Sequence, residues 1–215
     1  MQVDRVNLDS WRWTEWLRRL RGNLEFVVSF NYDLVVERAC DAGGLVVERI
    51  QAQPECSGPA ARIFKPHGSV DFNVSRAIRF GFTYPFGDNW AVTDCDLPVE
   101  LAPTADLLKP RFCADIVLPG ERSALTRVQW VAPTYNQMCA RLRQVDYCVL
   151  AGLSYWVPDR FEIDKIVDAL PAKAAVVVAN PHPPADLLHS LRERGRPVAV
   201  WTAGPEPLPL IRSRP

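Results

Sequence analysis

Four short stretches carry side chains suited to chemistry, and each follows an apolar run. FVVSF ends in Asn31-Tyr32-Asp33, ARIFK in Pro66-His67-Gly68-Ser69, YCVLA in Gly152-Leu153-Ser154, and AAVVVA in Asn180-Pro181. Imidazole changes charge near neutral pH, so His67 is suited to take a proton from a hydroxyl. A neutral carboxamide such as Asn31 can hold a water without adding charge. Each position also has an ordinary structural account. Asp33 reads first as a helix N-cap, and Asn31 serves equally as an Asx turn or as a site residue. His67 favours chemistry, because Pro66, Gly68 and Ser69 surround it with backbone expected to be exposed and open to a ligand. Gly152 and Ser154 fit either a close-approach turn or a plain strand-to-helix turn, and Asn180-Pro181 taken alone is weak. His182 and His189 read as surface residues. Ser69 has no G-x-S-x-G context, so it is not a hydrolase elbow. No cysteine can be placed beside His67, which leaves a thiol nucleophile unsupported.

What must position these residues is a set of strands and helices. Trp13, Trp16, Leu17 and Leu20 recur at helical spacing over residues 11–20, with Asp9 or Ser10 to cap the start and Gly22 to close the end. Residues 24–30 predict a strand, 33–40 a helix capped by Asp33 and stopped at Gly43-Gly44, and 45–50 a second strand. After a loop with Pro54, Gly58 and Pro59, residues 61–65 predict a strand that runs into the PHGS turn and a strand-like VDFNV. Residues 76–128 are rich in Pro, Gly and aromatics without a sustained period, and read as an irregular insertion or small subdomain. Order returns with VQWVAPT as strand and turn and YNQMCARLRQ as a helix. A strand at 147–151, a helix from Asp159 with Glu162 completing a capping box, a strand at 174–179, a helix closed by Gly195 and a strand at 197–201 follow. The strands of this βαβαβ unit are continuous apolar runs, the pattern of parallel strands buried on both faces. The expected architecture is therefore α/β: one Rossmann-like parallel sheet flanked by helices, in a single domain over 1–215. In open parallel sheets ligands bind at the carboxyl ends of strands, where all four polar exits fall.

Composition narrows the classes. Of 215 residues 48% are hydrophobic, enough for a sizeable core. Lys plus Arg and Asp plus Glu number 25 each, so nothing favours nucleic acid or a membrane surface as partner. Arg18, Arg19 and Arg21 read as a solvated helix face. None of the six cysteines forms a C-x-x-C pair, so no metal site is expected. No secretory leader pattern and no long apolar span is seen, and a cytoplasmic protein with reduced thiols is expected. Cys139 and Cys148 read as core residues.

Taken in order, VVSFNYDLVVE, FKPHGSVDF, YCVLAGLSYWVPD and VVVANPHP resemble the sirtuin-like NAD-binding superfamily, over roughly residues 11–201. The resemblance is closest to the divergent branch found in bacterial defence and NAD-depletion proteins. It implies a domain that binds NAD and hydrolyses it to nicotinamide and ADP-ribose. By that resemblance Asn31 orients a water or ribose hydroxyl, and His67 acts on the nicotinamide ribose. Asp33 lines the nicotinamide pocket, Gly68 and Ser69 are expected to bind the cofactor, Gly152 and Ser154 meet phosphate and ribose, and Asn180 lies near the adenosine ribose. Two features depart from the family. The paired cysteines of a zinc ribbon are missing, which disfavours protein deacylation. No G-x-G stretch precedes FVVSF, so the pyrophosphate cradle of the family is missing as well. The competing expectation is a non-catalytic module that senses NAD or ADP-ribose, or that assembles with a partner protein or a second copy. A fragment of a larger NAD hydrolase is a further reading.

Overall fold

A computed structural model of the chain describes residues 7–52, 60–73, 99–107, 114–117 and 130–202. Helix α1 (Arg12–Arg19) lays Leu17 and the partly buried Trp16 against α2 (Val35–Ala42), and Trp13 meets Trp16 edge to face at 5.4 Å. Its opposite face is charged and solvated: Glu15 pairs with Arg18 and, at 3.0 Å, with Arg19. Both helices pack on a small cluster of Ala39, Cys40, Leu45, Ala61 and Ile63. Strands β1 (Val27–Val28), β2 (Val46–Arg49) and β3 (Ala60–Phe64) form a parallel sheet with β3 in the middle.

Next, β4 (Gly68–Asn73) pairs antiparallel with β5 (Glu100–Leu101) and β6 (Ala114–Ile116). Helix α3 (Val131–Leu142) then leads into β7 (Tyr147–Ala151), α4 (Val157–Ala169), β8 (Ala175–Ala179), α5 (Ala185–Glu193) and β9 (Val198–Trp201). Strands β7, β8 and β9 are parallel and in that order, because each neighbour is reached through a helical crossover. The fold is α/β. Its main core draws Phe64 from β3, Phe72 from β4, Tyr135 and Met138 from α3, Leu150 from β7, Ile163 and Ile166 from α4, and Val178 from β8.

Several expectations change. The parallel strands form two three-stranded sheets, and among the described residues no ladder joins β1-β3-β2 to β7-β8-β9. An apolar run reports burial but not the partner: Phe26, Val28 and Phe30 bury against the common core without a backbone neighbour on that side. Of VQWVAPT, expected as strand and turn, the last four residues begin α3, where Pro133 costs nothing because first-turn amides have no helical acceptor, and Val128 and Gln129 lie outside the described residues. Trp11 and Trp156, not Asp9, Ser10 or Asp159, stand at the N-caps of α1 and α4, so the Asp159–Glu162 capping box does not form. Asp33 sits one residue before the N-cap Leu34, and its carboxylate accepts from Val35 N–H at 3.0 Å. Within 76–128, the described parts supply β5, β6 and a 3-10 turn at Thr104–Asp106, and the rest of the expected insertion or small subdomain lies outside the described residues. Strands of two or three residues leave no period to read. Phe82, Tyr84, Phe86 and Trp90, the loop with Pro54, Gly58 and Pro59, and the Pro-rich end lie outside the described residues. Among those described, no helix is long and apolar enough to cross a membrane.

One guanidinium secures the end of α4. Arg196, in the turn before β9, donates to the carbonyls of Val167 at 2.9 Å and Leu170 at 3.0 Å, and also to that of Pro171. Last-turn carbonyls have no helical donor, and a fork of N–H groups satisfies several at once. Replacing Arg196 by Ala should lower stability by about 2 kcal/mol. Arg196→Lys should recover less than half of that loss. Both are read as shifts of the urea midpoint at unchanged slope.

Candidate functional site

The turn between β3 and β4 fixes His67 from its backbone outward. Gly68 N–H donates to the Lys65 carbonyl at 3.0 Å, closing a four-residue turn with Pro66 second and His67 third. Gly68 holds φ +81°, a conformation that favours glycine, and begins β4 opposite Ile116. Val117 N–H donates to the His67 carbonyl at 3.0 Å. The segment is buried from Pro66 to Ser69, against the exposed backbone its composition predicts, because the chain passes directly from one sheet into the next.

The His67 ring is 2% exposed and lies 5.4 Å from the Phe30 ring and 6.1 Å from the Tyr32 ring. Tyr32 is itself held by its hydroxyl, which donates to the Val117 carbonyl at 3.2 Å. Asn31, between those two aromatics, is exposed. The first two polar exits thus meet at one edge. Nε2 of His67 lies 3.7 Å from Oε1 of Glu162, a buried carboxylate on the second turn of α4. His67 Nε2, Glu162 Oε2 and Tyr135 Oη are all sealed from solvent and have no hydrogen-bond partner among the described residues. Buried polar atoms are ordinarily paired, so three orphans in one neighbourhood single this edge out as the candidate site. Burial and the charge of Glu162 both push the Tyr135 phenol up. Asp159, one turn before Glu162, is raised chiefly by burial; the His67 charge opposes this and the Glu162 charge adds to it.

Behind this edge lies a buried charge network. The Lys65 ammonium, fully buried, stands 3.1 Å from Glu37 and donates to Ser69 Oγ at 3.3 Å and to the Asp33 carbonyl. Arg49 reaches the same Glu37 oxygen at 3.1 Å and grips Asp71 with two contacts, at 2.7 and 3.3 Å. Two cations face two carboxylates, so the network is neutral. Burial pulls Lys65 below the usual lysine range, with the Glu37 charge the first force opposing it. Asp33 therefore enters through its carbonyl and its helix-start carboxylate, and Ser69 through its bond to Lys65.

The other two exits also meet. Asn180 Nδ2 donates to the Leu153 carbonyl at 2.9 Å, and its Oδ1 accepts from His182 N–H at 2.9 Å, so its amide ties β8's exit to β7's. Gly152 turns the chain at φ +65°, and its N–H donates to the Ala179 carbonyl at 3.0 Å. Ser154 is exposed and lines a cavity of about 490 Å³ with Trp156, Pro158, Arg160, Pro184 and Asp186 among its walls. Tyr155 holds φ +54°, uncommon for a side chain of its size, and is fastened by its hydroxyl to Asp164 at 2.8 Å and Ser190 at 3.1 Å. Trp156 is 71% exposed at the cavity wall. The first two turns of α4 thus serve two places: Asp159 and Glu162 turn to His67, while Val157, Pro158 and Arg160 line the cavity.

Among the described residues this arrangement suits proton transfer and hydrogen bonding. Burial pushes the Cys40 and Cys148 thiols up to about 12, which keeps them protonated at neutral pH. Cys139 and Cys148 pack against the core while staying partly exposed. Among the described residues no three His, Cys, Asp or Glu side chains converge as a metal site would require. Sequence reading missed Glu162 and Tyr135. Both fall on apolar-periodic helix positions, and a glutamate at such a position is the signal that was available.

The charge network makes a sharp prediction. Glu37→Gln leaves a net buried positive charge and should lower stability by about 3–5 kcal/mol, roughly 2–4 °C in melting temperature per kcal/mol. Adding Lys65→Met to Glu37→Gln should restore part of that loss, because it removes the stranded charge. A double-mutant cycle by thermal and urea unfolding reads both.

No protein-family model matches the chain, and no curated protein matches it significantly.

Proposed function

We propose that the chain binds NAD at the strand exits and hydrolyses it to nicotinamide and ADP-ribose. The observation that carries the reading is His67: a buried imidazole held between the rings that flank Asn31, with a carboxylate facing its Nε2. In this reaction the bond from the ribose anomeric carbon to the nicotinamide nitrogen breaks, and its electron pair goes to the departing ring. Positive charge builds on the ribose, water adds to the anomeric carbon, and one proton is released. His67 accepts the proton of the water or of a ribose hydroxyl, and the Asn31 carboxamide orients the water. The rest of the barrier falls to positioning and electrostatics. The cavity at Ser154, with Trp156 and Arg160 on its wall, supports a seat for the far end of a two-ended ligand. A role in bacterial defence follows only from the resemblance.

A second reading is a sensor that holds NAD or ADP-ribose without turnover. It is favoured by the hydrogen bonds that commit Ser69 and Asn180 to the protein and by the burial of Gly68. Incubation with NAD should release nicotinamide, and His67→Ala should cut the rate by about 100-fold or more. Binding by calorimetry without nicotinamide release would favour the sensor. Neither binding nor release at high protein concentration would remove both.

A further inference from the structure

Glu162 lies where no capping or surface role explains it. It is buried on the second turn of a helix whose N-cap is Trp156, six residues earlier. A carboxylate in that position carries a desolvation cost unless something faces it. What faces it is His67 Nε2 at 3.7 Å, itself without another partner among the described residues. The groups around the pair are Asp159 on the same helix, Tyr32 at the exit of β1 and Tyr135 on α3. Lys165 of α4 sits 4.9 Å from the centre of the Tyr135 ring. Phe30 supplies an apolar wall.

The geometry assigns Glu162 as the positioning residue of His67: its carboxylate holds the imidazole proton on Nε2 and leaves Nδ1 free to take a proton from a ligand hydroxyl. At 3.7 Å the contact is longer than a hydrogen bond, and it is the negative charge facing Nε2 that favours a proton there over Nδ1. When the hydroxyl proton moves to Nδ1, the imidazole becomes a cation, and Glu162 supplies the opposing charge. No proton needs to pass to the carboxylate, and the proton leaves Nδ1 to solvent after the ligand departs. The chemical class recognised is a sugar-type hydroxyl or water. That this hydroxyl belongs to NAD rests on the reading above, whereas the tautomer does not.

Two measurements separate these claims. Nitrogen-15 NMR of the imidazoles reads the tautomer directly, and the two exposed histidines, His182 and His189, serve as internal references. In the wild type at a pH where His67 is neutral, Nε2 should carry the proton. Glu162→Leu, which keeps the side-chain bulk and removes the charge, should abolish that preference, and Glu162→Asp should retain part of it. Unchanged nitrogen shifts in Glu162→Leu would overturn the assignment. With NAD, Glu162→Gln should lower kcat about 10- to 100-fold with KM little changed, because the charge is needed only once the imidazolium forms. An unaltered kcat would also overturn it. If the wild type releases no nicotinamide while the tautomer still depends on Glu162, the pair stands and the hydrolysis reading falls.

Discussion

A lysine with no access to water sets the geometry of the whole edge. The Lys65 ammonium sits at the end of β3 and reaches Glu37 of α2, Ser69 of β4 and the carbonyl of Asp33. An ammonium in such a place must find carboxylate and carbonyl oxygens on several sides, because an unpaired buried charge is far too costly. The requirement draws three separately folded pieces of chain to one point. Asn31-Tyr32-Asp33 and Pro66-His67-Gly68-Ser69 are thereby locked side by side. Arg49 and Asp71 complete the charge balance and extend the lock to β2 and the middle of β4. His67 gains its fixed position second-hand: its own ring makes aromatic contacts, but its backbone is set by the turn that Lys65 begins.

Much of the α/β scaffold was legible because it rests on local rules. Strands β7, β8 and β9 and the helices between them lie within one or two residues of their apolar runs, and glycines at 195 and 44 stand in the left-handed turns that end their helices. What escaped local reading was decided by distant partners. β5 and β6 are too short to show alternation and exist because β4 offers them a ladder. The separation of the parallel strands into two sheets is a matter of which edge meets which, and apolar content is silent on that. Asp159 and Glu162 illustrate the same point: their spacing matches a capping box, yet the helix begins two residues before Asp159, and tertiary packing turns both toward the imidazole.

Among the candidate residues, His67 stood out by its neighbours, Pro66 and Gly68, which do form a tight turn. The inference that such a turn is open to solvent failed, since the turn joins two sheets and is buried from Pro66 to Ser69. Asn180 was weak on sequence grounds, and the structure gives its amide a specific task of joining two strand exits. Gly152 and Ser154 occupy the turn that their types suggested, with Ser154 facing a cavity. Tyr135 could not be distinguished from any other core aromatic until its hydroxyl was seen to lack an acceptor.

Among the described residues no ladder joins the two parallel sheets, and this has a mechanical meaning. One unit carries the imidazole and the other carries the carboxylate opposite it, while the seam between them is made of side chains such as Phe30, Phe64 and Tyr135. Sliding along such a seam breaks no amide–carbonyl bond, whereas the same displacement inside a continuous sheet would break a row of them. The spacing of the imidazole and the carboxylate thus depends on side-chain packing rather than on a shared ladder.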